Sequence, residues 1–177
     1  MCIKYLLQRI ILFFISRSGS TIRIWYWRRQ GIKIGRDCLI NNVIFSTEPY
    51  LTEIGNHVAI AAGTDFITHD GAMWCFRDEL KNGDVFGKIK VGDNVFIGIN
   101  CTILPNTNIG NNCIVGAGSV VRGDFPDNSV IVGNPAKTIM STSIQKLLYL
   151  NNPNFLEIRD MPLDRKKEVL MKHFGLE

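Results

Sequence analysis

A branched aliphatic residue recurs at every sixth position between Val91 and Val121: Val91, Ile97, Ile103, Ile109, Val115 and Val121. Glycine follows four of them directly, at Gly92, Gly98, Gly110 and Gly116. Four positions after each stands a small or medium residue: Val95, Cys101, Thr107, Cys113 and Ser119. A period of six fits neither a helix nor a strand that alternates between two faces. It predicts an all-β solenoid that turns a corner after every short strand and stacks its side chains in columns. Three such faces close a triangular coil, and successive coils stack at roughly 4.8 Å. The same register takes in Ile34, Ile40, Ile54, Ile60, Phe66 and Val85, with Cys38, Ile44, Val58, Thr64 and Ile89 in the smaller column. Each inward aliphatic is expected to contribute about 1.5–3 kcal/mol once its neighbours cover it.

The breaks in this pattern are as informative as the pattern. The hexads stop after Phe66 and resume at Val85, leaving an aperiodic excursion over about residues 67–84. It carries His69, Asp70, Trp74, Arg77, Asp78 and Glu79, a density of titratable and aromatic groups that marks a functional loop on a rigid scaffold. Shorter departures at Ser46–Thr52 and Arg122–Ser129 read as simple corner insertions. Beyond VGNPAK at 132–137 the hexads end, and residues 162–175 read as a helix with Pro162 near its start and Gly175 at its end. Its expected duty is to cover the carboxyl end of the solenoid. At the other terminus Ile3, Leu6, Leu7, Ile10, Ile11 and Phe14 follow helical spacing. That amphipathic segment either caps the solenoid or lies in a membrane interface, and the two roles are compatible. Its uninterrupted apolar run, Ile10 to Ile15, is too short to span a bilayer. The organisation is therefore a basic helical segment over 1–30, the solenoid over 31–140 and a helical extension over 141–177.

Charge sharpens the reading of the amino terminus. Residues 1–36 hold eight Lys/Arg and no Asp or Glu, while the rest of the chain holds 12 Lys/Arg against 16 Asp/Glu. A basic leader on an otherwise acidic protein suits an anionic membrane face, and Trp25, Tyr26 and Trp27 beside Arg28 and Arg29 suit one too. No nucleic-acid recognition motif accompanies the charge. The five cysteines form no CxxC pair, and Cys38, Cys101 and Cys113 share the small-residue column, where a thiol is a compact filler. This usage fits a reducing cytoplasm better than a disulfide-linked exterior. His57, His69 and His173 lack the close pairing a zinc site requires, so no metal is expected.

The register at 91–121, with ILPNTNIG at 103–110, GAGSVV at 116–121 and GNPAK at 133–137, resembles the hexapeptide-repeat acyltransferases over about residues 31–140. The branch of maltose, galactoside and capsular-polysaccharide O-acetyltransferases is the most similar. The resemblance implies a left-handed parallel β-helix, a homotrimer with active sites between neighbouring prisms, and acetyl-CoA as acyl donor. It implies that His69 is the catalytic general base, acting directly without an acyl-enzyme, on a saccharide acceptor. The pantetheine arm would pair with backbone at Gly98, Gly116, Ala117 and Ser119, and a Gly98 N–H would meet the oxyanion. Arg122 and Lys137 would meet the coenzyme phosphates. Asp70, Trp74, Arg77 and Asn100 are the candidate acceptor-side residues, Asp70 also as an orienter of the imidazole. Another small acceptor (an amino sugar, nucleotide sugar, serine or antibiotic) and a non-catalytic scaffold remain the alternatives.

Overall fold

The computed structural model describes Ile15 and residues 18–176, so the amphipathic segment expected around residues 3–14 lies outside the described residues. Helix α1 (Ser20–Arg29) leads into a parallel solenoid of about five coils. The first coil is β1 (Lys33–Ile34), β2 (Leu39–Ile40) and β3 (Ile44–Phe45), and the second is β4 (Thr52–Ile54), β5 (Ala59–Ile60) and β6 (Asp65–Phe66). A two-stranded excursion, β7 (His69–Asp70) with β8 (Val85–Phe86), then interrupts the winding. The third coil follows as β9 (Ile89–Val91), β10 (Phe96–Ile97) and the start of β11 (Thr102–Ile109). The rest of β11, β12 (Ile114–Val115) and the start of β13 (Val120–Phe125) form the fourth. The fifth is the end of β13 and β14 (Ser129–Gly133). Because β11 and β13 run around a corner, the first and third faces form one seven-stranded sheet, and the second face is the other.

The expected column is the core. Ile34, Ile54, Val91, Ile109 and Phe125 stack inward on the first face. Ile40, Ile60, Ile97, Val115 and Ile131 do so on the second, and Phe45, Phe66, Ile103 and Val121 on the third. Val58, Thr64, Val95, Cys101, Thr107, Cys113 and Ser119 fill the corners between them, all buried. Burial pushes the thiols of Cys101 and Cys113 up, which suits packing rather than reactivity.

Two positions depart from the six-residue reading. Ile44 points outward and Phe45 inward, because Phe45 stacks on Phe66 at 4.8 Å and meets Trp27 of α1 at 4.8 Å. Val85 belongs to the excursion and is exposed. The register resumes at Ile89, whose partner is Thr52 on the rung below. Each end of the solenoid needs its strand edge covered. At the first coil, Ser20 Oγ accepts from the Ile40 N–H at 2.8 Å and Arg23 Nη1 donates to the Ile40 carbonyl at 3.2 Å. At the last, β15 (Ala136–Ser141) pairs antiparallel with β14. The chain divides into two compact units, through Gln145 and from Lys146. Two helices follow β15, α2 (Thr142–Leu150) and α3 (Leu163–His173). No residue of either helix is buried.

Candidate active site

Both insertions fall at one edge of the prism, where the third face turns back to the first. Ser46–Thr52 bulges there from the first coil, and the excursion from Ile67 to Lys88 bulges from the second, one rung away. Glu48, at the start of the short 3-10 turn Pro49–Leu51, is thereby brought against His69 on β7. The Glu48 Oε2 lies 3.0 Å from His69 Nδ1. The same carboxylate accepts from Thr68 Oγ1 at 3.0 Å and from Thr47 Oγ1 at 2.6 Å. Thr68 is buried and is tied to Ser46 through its own N–H, at 3.0 Å. Partial burial alone would raise the Glu48 carboxyl, but the hydrogen bonds from Thr47, His69 and Thr68 outweigh it and hold the group below its usual range. An ionised Glu48 can only accept, so the imidazole proton sits on Nδ1. In the neutral ring Nε2 then keeps its lone pair, on a side chain that is 39% exposed. Phe86 of β8 stands edge-on to the ring at 6.4 Å.

Glu48 was missed in the sequence, where its segment read as a plain corner. Asp70 does not orient the imidazole: its carboxylate caps the 3-10 turn Gly71–Phe76 through the Ala72 N–H at 2.9 Å. Arg77 is likewise occupied inside the loop, bonded to the Gly83 carbonyl and paired with Asp84. Trp74 is 80% exposed at the tip. The other histidines are surface groups, His57 against Asn94 and His173 against Asn154.

Of the expected coenzyme residues, Gly98, Gly116, Ala117 and Ser119 occupy a different edge, between the second and third faces. Gly98 donates its N–H to the Val115 carbonyl at 2.9 Å and accepts from Thr64 Oγ1 at 2.9 Å. Its N–H is therefore spent on the ladder and does not serve an oxyanion. A Cβ at Gly98 would stand 2.6 Å from the Ala117 nitrogen, so only glycine lets these rungs close. The Gly116 N–H goes to the Ile131 carbonyl. Ser119 is buried, its hydroxyl donating to the Gly116 carbonyl at 2.7 Å and accepting from the Gly133 N–H. Ala117 alone of this group is exposed, at the corner tip. Asn100 lies on this edge too, with a left-handed φ of 55° and its amide oxygen against Gly63, apart from His69. Arg122 is exposed on the His69 edge two rungs further along, and Lys137 is exposed on β15 opposite Val132. Within one chain, then, the imidazole and the small-residue corner stand on different edges, separated by the third face. Among the described residues no three His, Cys, Asp or Glu groups gather to hold a metal ion. No helix there is long and apolar enough to cross a membrane.

Known proteins share this framework. The bacterial transferase hexapeptide (six repeats) model matches residues 88–123. Protein CapG of Staphylococcus aureus is 43% identical over 171 residues, covering 95% of this chain and 96% of that protein. Galactoside O-acetyltransferase of Escherichia coli K12 is 34% identical over 66% of this chain, which spans 57% of that enzyme. The hexapeptide-repeat acetyltransferase VCA0836 of Vibrio cholerae superposes with a TM-score of 0.63 at 26% identity, over 73% of this chain and 85% of that one. Its complex with acetyl-CoA superposes with a TM-score of 0.57 at 32% identity, over 63% and 60%. The chain belongs to the hexapeptide-repeat acetyltransferase superfamily, in the branch of the sugar O-acetyltransferases, and is an acyltransferase.

Proposed function

We propose that this protein moves the acetyl group of acetyl-CoA directly to a hydroxyl of a sugar or surface-polysaccharide precursor, in a cytoplasmic homotrimer. The observation that carries the reading is the Glu48–His69 pair: an imidazole with its proton held on Nδ1 by an anion and its Nε2 open to a substrate. A sugar hydroxyl is a poor nucleophile until its proton is removed as it attacks. Nε2 takes that proton while the oxygen bonds to the thioester carbonyl carbon. The C–S bond then breaks, and the imidazolium, stabilised by Glu48, returns the proton to the departing thiolate. No acyl-enzyme is required. Cys75 is exposed on the excursion, and no hydrogen bond among the described residues joins it to a base. Phe86 stands beside the imidazole and Trp74 is exposed on the same excursion, and both are aromatic groups of the kind on which sugars stack.

The distribution of surface over the prism supports a homotrimer. Outward positions on the first face are Lys33, Glu53, Lys90, Asn108 and Asp124. On the second face they are Leu39, Ala59, Phe96 and Ile114, with Leu39 and Phe96 about half exposed. A column of apolar groups on one face of a solenoid marks an interface. If the second face of each prism packs on the first face of the next, a closed ring of three leaves the third faces outermost. The cleft between neighbours is then flanked by the His69 edge of one and the Ala117 edge of the other. That cleft is the proposed seat of acetyl-CoA, its pantetheine passing the exposed Ala117 tip, with the exposed Arg122 and Lys137 as candidate phosphate contacts.

Thiol release from acetyl-CoA with a panel of sugars tests the reading. His69→Ala is expected to lower turnover by about 10²–10⁴ while coenzyme binding persists. Full activity in that variant would remove the general base, and with it the proposal.

A further inference from the structure

Helix α1 turns one side to the solenoid and another to solvent. Trp27 is buried against Phe45, whereas Thr21, Ile22, Trp25, Arg28 and Arg29 form an exposed stripe at helical spacing. Ile22 and Trp25 are 52% and 55% exposed, more than a helix that only capped a coil would need to leave in water. The Arg29 guanidinium lies 4.5 Å above the Trp25 ring. Arg28, Arg29, Arg36 and Trp25 line an open groove at this end of the prism, in which Asp37 is the one acidic group. Arg28 already holds the carbonyls of Ile34 and Gly35, and Lys33 is paired with Glu53. Arg29 and Arg36 remain turned to solvent. Residues 1–36 as a whole contain eight basic and no acidic side chains.

An exposed indole beside an apolar side chain and clustered arginines is the composition of a lipid headgroup interface. We infer that the α1 end of the prism docks on an anionic bilayer surface, which sets the Glu48–His69 pair to work on a saccharide held at that surface. The second clause rests on the proposed acetyl transfer; the first stands without it. Glu48 is on the first rung and His69 on the second, so the pair lies within about 10 Å of the α1 end. A nucleic-acid partner fits less well, since the remainder of the chain is net acidic.

The test uses the full chain and phosphatidylcholine vesicles with or without phosphatidylglycerol, in the absence of acetyl-CoA. Co-sedimentation is expected only with phosphatidylglycerol, and is expected to fade as salt is raised. An R29Q/R36Q double variant should bind about thirty-fold more weakly, at roughly 1 kcal/mol per basic residue near the surface. Trp25→Ala should also weaken binding, with the thermal transition of each variant confirming that it folds. Equal binding to neutral vesicles, no vesicle binding, or binding to duplex DNA in place of vesicles would overturn the inference. So would folded variants that bind like the parent. A separate arm compares acetylation of an alkyl glycoside embedded in the anionic vesicles with that of the free glycoside. R29Q/R36Q should slow only the embedded reaction, and equal rates would overturn the surface-substrate clause. Failure of the parent protein to acetylate either acceptor would refute the transfer reading while the vesicle result still decides the docking.

Discussion

At the scale of single residues the proposed chemistry rests on a carboxylate that holds an imidazole in one tautomer. Glu48 and His69 are 21 residues apart, and no motif links them. His69 was legible because it stands in a loop that breaks the hexads and because the chain resembles a family with a histidine there. Glu48 was not, since a glutamate in a short insertion is usually a solvated corner. A signal did exist: both insertions leave the same corner of adjacent coils, so they must meet one rung apart, whereas Asp70 next to His69 points its carboxylate along its own turn. Replacing Glu48 by Gln keeps shape and volume but lets an amide N–H face Nδ1, which would move the imidazole proton to Nε2 and remove the base. Turnover in E48Q is expected to fall at least about 10²-fold with little change in coenzyme affinity. A loss of coenzyme binding equal to the loss of rate would show instead that Glu48 shapes the cleft.

At the scale of elements the period of six exposed nearly the whole core, because a large apolar side chain must point inward at each strand. Its two slips have physical causes. Phe45 displaced the expected Ile44 because an aromatic there bridges Trp27 and Phe66, and the excursion absorbed Val85 into a pairing with Asp70. Periodicity is silent on what joins the corners outside the core. Where the first face turns to the second, Asp93 accepts from the Asn56 N–H at 2.7 Å, and Asn111 in turn donates its N–H to Asp127 at 2.7 Å. The backbone hydrogen bond comes first among the causes that lower each carboxyl, followed by the asparagine side chain. A carboxyl whose value is lower in the folded state stabilises the fold above its unfolded value, and that contribution is lost as pH falls through the folded one. The solenoid should therefore melt at lower temperature as pH drops below about 4, the unfolded value of an aspartate. A D93N/D127N variant should show a shallower decline over the same window, read as Tm against pH. An unchanged slope would mean that the corner ladder is already formed in the unfolded chain or contributes nothing.

At the scale of the whole molecule, one prism is an incomplete enzyme on the proposed reading. The imidazole edge and the Gly98–Ala117 edge are held apart by the hydrogen-bonded third face. The family resemblance implied sites between neighbouring prisms, but the hexads alone do not say which corner each residue occupies; the order of rungs and faces does. The arrangement has a consequence that a self-contained site would not share. Ala117→Trp should fill the cleft from one side and His69→Ala should disarm it from the other, so each homotrimer is expected to be inactive. In a ring that mixes the two variants, an Ala117→Trp protomer still presents His69, and an His69→Ala protomer still presents Ala117. About one cleft in three then has both intact edges, since the ring runs head to tail and only one junction has the right order. Co-expressed and co-purified mixtures should recover acetyl transfer toward a third of the parent rate per mixed ring. Activity that stays absent in a verified mixed trimer would place both edges in a single chain's site and contradict the packing of the second face on the first.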